Sequence, residues 1–332
     1  MVNLRMKIRN ILFYVLTGLT FLSSCRSLKS IDNHLSQSNC NQHNIYDYPK
    51  EKLPEVLLVR QLDTLLTNRF SVQSLHVANA IGIVESLRNF IYTQKKFERD
   101  PTIENRIRLL EVNQYINQRI NMVSLEVSAV ASELDCEEER TAQVANYLKN
   151  LEDDAETRLT VGVIATGAIG AIVSGILLVR NHDEQTVEYI GLGTGIAEAF
   201  LGMAILLNKR KVQFEHERNA LRDVWEGRET SSIFPASIWF YLNNYNPSIQ
   251  DKHSLRYKII EKWMGFGQIA EAGKKNKRKL LSLYFGAGGK YTSEQLRNRA
   301  NMYDQLESYI NLMKQDLKRL AVEFETITLI AR

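Results

Sequence analysis

Apolar and polar residues follow one another along this chain mostly with the spacing of α-helices. From residue 55 onward, apolar positions recur three and four residues apart, as they do on one face of a helix. Only 5 prolines occur among the 332 residues, so long helices can form. The pattern predicts an all-α protein, built as an elongated antiparallel helical bundle or coiled coil.

The longest regular pattern predicts helix over residues 102–179, about 117 Å long if it is a single helix, and division by a kink is the alternative. Asp100 is expected to cap it and Pro101 to take its first position. Its apolar residues alternate spacings of four and three, and Glu137 and Thr141 interrupt them. The seam comprises Ile116, Ile120, Val123, Val127, Val130, Leu134, Val144, Leu148 and Leu151.

A second heptad seam predicts a helix at the C-terminal end of the sequence. Thr292 and Gln295 fit a capping box at its start. The seam comprises Tyr303, Leu306, Ile310, Met313, Leu317, Leu320, Phe324, Ile327 and Ala331. This helix must pack on another helix of the chain or on a second copy.

Two strongly apolar stretches predict a glycine-rich helical hairpin over residues 159–207. Residues 159–179 carry no charge, and residues 189–207 carry one acid, Glu198. Each arm approaches the roughly 20 residues that span a bilayer core. The residues between the arms are polar, so the hairpin has a hydrophilic tip.

Small residues recur every four positions in both arms, which places each set on one helix face. The sets are Gly162, Thr166, Gly170 and Ser174 in the first arm, and Gly191, Gly195 and Ala199 in the second. Such faces let helices approach closely within lipid. Two locations remain open: a membrane, where Glu198 would be a costly intramembrane acid and a functional candidate, or the core of a soluble helical bundle.

The segments that flank the hairpin carry opposite charges. Residues 152–158 are mostly acidic and residues 208–211 are basic, so we expect them to lie side by side at the base of the hairpin. The pattern also predicts a return helix with Phe214, Leu221 and Trp225 on one face. This return helix would complete an antiparallel stalk over residues 55–230.

Residues 231–332 are predicted to form a C-terminal helical region that packs on the stalk. Its aromatic side chains Phe234, Trp239, Phe240 and Tyr241 suit either packing on the stalk or a membrane-interface patch. A basic cluster within residues 274–279 suits either a solvated helix end or an anionic leaflet. The glycines at 286, 288 and 289 predict a helix stop and a turn.

The first residues of the sequence have the features of a targeting segment. Arg5, Lys7 and Arg9 precede a short apolar stretch at residues 11–22, which ends in Leu22-Ser23-Ser24-Cys25. This tetrapeptide resembles the lipobox of bacterial lipoprotein signal peptides. The resemblance implies that residues 1–24 are removed, that Cys25 is lipidated and that residues 25–54 form a flexible tether. An ordinary signal peptide remains the alternative.

The residue after Cys25 is Arg26 rather than aspartate. In the lipoprotein family this implies the outer membrane and a periplasmic orientation, within a bacterial cell envelope. Cys40 and Cys136 would then be two cysteines in an oxidising compartment. They form either a disulfide or two free thiols.

The residue types that carry catalysis or bind metals are not grouped in this sequence. The 6 histidines are dispersed, and no spaced Cys/His set or nucleophile motif occurs. Removal of the basic leader would leave a nearly neutral chain, which argues against nucleic acid as a partner. We therefore expect neither an enzyme nor a cofactor, and we expect membrane lipid and either a second copy or envelope proteins as partners.

Two functions fit these features. The first is a non-enzymatic envelope lipoprotein that acts as a helical scaffold and whose hairpin contacts a membrane. The second is an α-helical pore-former, because residues 102–228 are similar in architecture to α-pore-forming toxins of the cytolysin and haemolysin type.

Overall fold

The computed structural model describes residues 40, 52–56, 63–180, 184–216, 218–244, 253–269 and 274–330. The chain divides into two units, residues 1–37 and 38–332, and all described residues lie in the second. The predicted leader, Cys25 and most of the predicted tether lie outside the described residues.

The described residues form ten helices and two short strands, so the predicted all-α class is confirmed. The helices are α1 (Thr64–Thr67), α2 (Val72–Ala80), α3 (Val84–Arg99), α4 (Ile103–Val179), α5 (Glu184–Leu207), α6 (Ala220–Glu226), α7 (Ala236–Asn243), α8 (Leu255–Gly265), α9 (Lys274–Phe285) and α10 (Ser293–Ile330). The strands are β1 (Val212–Glu215) and β2 (Gly288–Tyr291).

Helix α4 is one uninterrupted helix of 77 residues, so the first of the two alternatives is confirmed. At 1.5 Å per residue it is about 115 Å long. Its N-cap is Thr102, whose side chain accepts a hydrogen bond from the Asn105 amide, so the expected start at Asp100 and Pro101 is wrong. Asp100 instead ends α3, where its side chain accepts a hydrogen bond from the Asn105 side chain at 3.0 Å.

Helix α10 is the long partner of α4, and the two run antiparallel. Ser293, at the start of α10, donates a hydrogen bond to Glu152 near the hairpin. Farther along, burial and then the charge of Asp304 on α10 raise the pKa of Glu138 on α4. The predicted seams are buried between these helices from Ile116 to Leu148 and from Tyr303 to Phe324. Leu151 and Ile327 are half-buried, and Ala331 lies outside the described residues.

The predicted return helix is confirmed only for Leu221 and Trp225, which lie in α6, and is wrong for Phe214, which lies in a strand. The chain leaves α5 at Leu207 and enters strand β1, which pairs antiparallel with β2 in the register Val212↔Tyr291. Gly288 makes this pairing possible, because its φ is +103° and a Cβ there would collide with the main-chain oxygen of Phe214.

A network around Arg299 holds this sheet against α10. Arg299 is fully buried and donates hydrogen bonds to the Tyr284 carbonyl at 2.7 Å, the Asn219 side chain at 3.2 Å and the Tyr303 hydroxyl at 2.9 Å. One guanidinium therefore ties together the end of α9, the start of α6 and α10.

The aromatic segment around α7 belongs to the core. Phe234, Trp239, Phe240 and Tyr241 are at most 3% exposed, so the packing interpretation is confirmed and a membrane-interface patch is wrong for these four residues. The Tyr241 hydroxyl donates a hydrogen bond to Asp316 on α10 at 2.7 Å.

A disulfide joins Cys40 to Cys136 in the middle of α4. Their Cα atoms are 5.5 Å apart, and 96 positions separate them along the chain. Cys40 is therefore fixed covalently to the longest helix.

Candidate membrane interface

The candidate site is the hairpin formed by the last part of α4, residues 159–179, and by α5. Helix α5 begins at Glu184, five residues earlier than the apolar pattern predicts, and packs against α4. The tip residues 181–183 lie outside the described residues. The other described residues, outside 159–207, are called the body below.

Between its base and its tip, the outer surface of the hairpin is apolar on all sides. Its large exposed side chains are Val161, Ile164, Ile169, Ile172, Val173, Ile176, Leu178, Val179, Tyr189, Leu192, Ile196, Phe200, Met203, Leu206 and Leu207. Only 6% of the most apolar stretch of α4 is buried, and none of that of α5. Burial of the hairpin in the core of this chain is therefore wrong.

Away from the ends of the arms, the polar side chains lie between the helices, on a face that we call the inter-arm seam, whereas Thr160, Gln185 and Glu188 at the ends are exposed. Residues 161–179 and 190–207 contain only four polar side chains, Thr166, Ser174, Thr194 and Glu198, and all four are half-buried on this face. Every fully exposed position in the two ranges is apolar or glycine. The hairpin is thus inverted relative to a water-soluble helix pair, with polar groups inside and apolar groups outside.

The threonine hydroxyls of the seam have hydrogen-bond partners within their own helices. Thr166 donates to the Gly162 carbonyl at 2.8 Å, and Thr194 donates to the Ile190 carbonyl at 3.1 Å. These two groups therefore need no water to be satisfied.

Gly170 permits a close approach of the two arms. It is buried, and a Cβ at this position would lie 2.7 Å from Cγ2 of Thr194. Gly162 faces Leu201 more loosely, at 3.7 Å. All four residues of the predicted first-arm face, Gly162, Thr166, Gly170 and Ser174, lie on the inter-arm seam.

The second arm does not use its predicted small residues in this contact. Gly191, Gly195 and Ala199 are exposed, and a Cβ at either glycine would meet no atom within 4 Å. Thr194, Glu198 and Leu201 face the first arm instead. A glycine on one helix leaves room for a side chain of the other helix. Close packing therefore needs small residues on only one of the two facing surfaces.

Glu198 lies near the middle of the second arm and faces Gly167, which is not among the small residues spaced four apart. A Cβ at Gly167 would lie 2.7 Å from Oε1 of Glu198. Glycine at this position leaves the space that the carboxylate occupies.

Glu152 connects the base of the hairpin to the body. Its carboxylate accepts hydrogen bonds from the Arg210 main-chain N–H and from the Ser293 hydroxyl, both at 2.9 Å. Its carbonyl accepts a longer bond from the Asn208 side chain, at 3.4 Å. The expected proximity of the acidic and basic flanks is therefore present, but Glu152 binds main chain rather than a basic side chain.

Both arms have the length and composition of membrane-crossing helices. The stretches that qualify lie within Ile103–Val179 and Gln185–Leu207. Residues 159–179 and 184–207 rise about 31 and 36 Å at 1.5 Å per residue, and a hydrocarbon core is about 30 Å thick.

Among the described residues, no group of three or more His, Cys, Asp or Glu side chains is arranged to hold a metal ion. In the basic cluster of α9, Arg278 and Lys279 are exposed.

Comparison with models of known protein families, with curated proteins and with solved structures found no match to this chain. Its function must therefore be inferred from its own residues.

Proposed function

We propose that residues 159–207 insert into a lipid bilayer as a helical hairpin, and that the protein is a non-enzymatic envelope lipoprotein that acts as a helical scaffold. The observation that carries the proposal is the inversion of polarity in the hairpin. Four polar side chains lie in the inter-arm seam, and apolar side chains cover the outside.

Water is an unfavourable surrounding for this surface. Removing one large aliphatic or aromatic side chain from water contributes about 1.5–3 kcal/mol. Fifteen such side chains are exposed on the two arms, whereas soluble monomers rarely expose apolar patches larger than a few hundred Å². The hairpin therefore requires a cover that the described part of the chain does not supply.

Lipid suits this surface better than a protein groove does. A groove would cover one face, but the hairpin is apolar around its whole outer circumference. Both arms match the thickness of a bilayer core. Arg158 and Lys209 are exposed at the body end of the arms, where their charges can reach headgroups.

The remaining parts of the proposal concern location and task. The lipobox-like sequence ending at Cys25 supports a lipid anchor in a bacterial envelope, with outer-membrane attachment on the periplasmic side. The long α4–α10 pair supports a scaffold that holds a partner at a distance from the membrane. That partner is a second copy or another envelope protein.

A pore-former is the second candidate, because an apolar hairpin ends a very long helix. A pore needs a polar face toward its lumen, whereas the polar side chains of these arms are in the inter-arm seam. The scaffold is therefore favoured. Release of a dye trapped in liposomes would support the pore-former, and retention of the dye supports the scaffold.

A labelling experiment tests insertion separately from lipid anchoring. Gln185→Cys places a thiol at the exposed start of α5, and the full chain is added to sealed liposomes. The thiol should react with a membrane-impermeant maleimide only after detergent is added, because insertion carries the tip to the interior. The chain without the added cysteine corrects for labelling at Cys25.

A matched pair of substitutions separates lipid contact from simple exposure. Ile169 in the first arm and Leu110 in the body are exposed to 62% and 59%. Ile169→Lys should abolish tip protection, because a lysine at the bilayer centre costs about 2.5–3.5 kcal/mol. Leu110→Lys should leave protection intact. Equal tip protection in the two variants would contradict insertion of the hairpin.

Mass spectrometry of the mature N-terminus tests the lipid on Cys25.

A further inference from the structure

We propose that Glu152 is a positioning residue that clamps the base of the hairpin, so that both arms enter lipid as one preassembled unit. The inference rests on the proposed function and adds how insertion is prepared. Glu152 belongs to neither arm. It lies seven residues before Leu159, about 10 Å along α4, and therefore on the water side of the apolar arms.

The contacts of Glu152 join segments that are distant in sequence. One carboxylate oxygen holds the Arg210 amide, three residues beyond the end of α5, and the other holds the Ser293 hydroxyl at the start of α10. Since α4 continues directly into the first arm, one side chain links the entry of the hairpin, its exit and the body.

A carboxyl side chain suits this position because each of its two oxygens accepts one hydrogen bond from a different segment. Hydrogen bonds to an ionised acceptor are also shorter and stronger than neutral ones. An amide or an apolar side chain at position 152 would hold Arg210, just beyond the end of α5, less firmly.

A clamped base is useful for insertion because it fixes the alignment of the arms beforehand. The inter-arm contacts Gly162–Leu201, Gly167–Glu198 and Gly170–Thr194 follow one antiparallel register. A slip of the second arm along the first would separate Thr194 from the notch at Gly170 and move Glu198 out of the seam. Loss of the clamp frees the exit of α5 and permits that slip.

The neighbouring Asp153 provides a matched control. Its carboxylate pairs with Lys149 of the same helix at 2.6 Å, and both side chains are about half exposed. Asp153→Ala therefore removes one carboxylate from the same turn of α4 without removing a contact between segments.

The experiment has two readouts on the full chain. The first is amide hydrogen exchange of residues 208–211 in detergent micelles, measured by mass spectrometry. Glu152→Ala should accelerate exchange at Arg210 at least tenfold, and Asp153→Ala should not change it. The second is protection of the Gln185→Cys tip in liposomes of phosphatidylethanolamine and phosphatidylglycerol, which should fall at least threefold for Glu152→Ala alone.

Two further variants keep the test decisive if Glu152→Ala folds poorly. Glu152→Gln retains one acceptor oxygen and should give intermediate values in both readouts. Ser293→Ala removes one of the two carboxylate contacts and should change both readouts in the same direction, by less than Glu152→Ala.

Each outcome bears on a different statement. Unchanged exchange at Arg210 in the Glu152 variants would overturn the clamp. Faster exchange with unchanged tip protection would overturn its positioning role and leave the proposed function standing. A parent chain whose tip is labelled without detergent would overturn the proposed function itself, and the positioning role with it.

Discussion

Thr194 of the second arm lies in the notch left by Gly170 of the first. A Cβ at Gly170 would come within 2.7 Å of Thr194 Cγ2 and 2.9 Å of its Oγ1. The two helices touch here because one of them lacks a side chain, and close backbone approach of this kind associates helices where no hydrophobic driving force acts.

Gly170→Leu should therefore separate the arms. Overpacking a tight contact costs about 1–3 kcal/mol, which exceeds the roughly 1 kcal/mol that leucine gains over glycine in helix propensity. We expect the tip protection of Gln185→Cys in liposomes to fall several-fold.

Gly195→Leu is the control for this substitution, because a Cβ at Gly195 meets nothing within 4 Å. It offers the same gain in helix propensity without a collision, so protection should stay at the parent level or rise. The same loss in both variants would show that the notch at Gly170 is not what holds the arms together.

Glu198 should make insertion less favourable. A charged side chain near the bilayer centre costs about 2.5–3.5 kcal/mol on an insertion scale, and residues 190–207 supply no basic side chain to pair with it. Glu198→Gln should therefore raise the inserted fraction, measured as protein that resists alkaline extraction and as tip protection.

Glu188 offers the comparison, because it is exposed just outside the apolar part of the same helix. Glu188→Gln should leave insertion unchanged. Weaker insertion of Glu198→Gln would mean that the carboxylate is held by a partner within the membrane.

Arg299 should be among the most sensitive positions of the body. Arg299→Met would leave the Tyr303 hydroxyl without its buried donor. The Tyr284 carbonyl and the Asn219 side chain would each lose one donor but keep another, the Asn219 Nδ2 and the Arg222 main-chain N–H respectively. A buried group that loses its partner costs about 1–3 kcal/mol, so the free energy of unfolding should fall by about 1–3 kcal/mol in urea titrations followed by tryptophan fluorescence. Arg297→Met, at an exposed position two residues earlier, should change it by less than about 0.5 kcal/mol.

The long helices were predictable because their signal is local. The seam from Ile116 to Leu148 repeats every three and four residues, and the structure buries it against α10. The Thr292–Gln295 capping box is likewise confirmed, with both reciprocal hydrogen bonds present. Such patterns need no knowledge of distant residues.

The errors arose where a distant partner decides the structure. Strand β1 is four residues long and exists because β2, far along the chain, pairs with it. Phe214 was assigned to a helix face with Leu221, and only the pairing reveals that it lies in a strand. The spacing of Gly191 and Gly195 shows that they share a face, but not which face meets the first arm.

The buried histidine His76 should make the body less stable in mild acid. It packs between Phe240 and Tyr241, and burial lowers its pKa from 6.5 to about 4. Between pH 6.5 and about 4, His76 therefore binds a proton in the unfolded chain but not in the folded chain. The free energy of unfolding falls between pH 6.5 and about 4, and this part of the stability is fully present above pH 6.5.

His76→Leu should remove this contribution, which amounts to about 2 kcal/mol between pH 7 and pH 5 at most. Urea titrations at both pH values give the difference, and a titration at pH 8, where the imidazole is neutral in both states, gives the effect of packing alone. His216, whose pKa burial and then Arg299 lower to about 2, adds a decline of the same sign that His76→Leu should leave in place. An unchanged pH dependence in His76→Leu would contradict the assignment to His76.

The Cys40–Cys136 disulfide should stabilise the body mainly by restricting the unfolded chain. It closes a loop with a sequence separation of 96, for which chain entropy gives up to about 4–5 kcal/mol. Reduction with dithiothreitol should therefore lower the urea midpoint of the parent. A chain with both Cys40→Ala and Cys136→Ala should start at the lower midpoint and not respond to the reductant. If the two chains unfold at the same midpoint without reductant, the crosslink contributes nothing to stability. Its role would then be to hold Cys40 against α4.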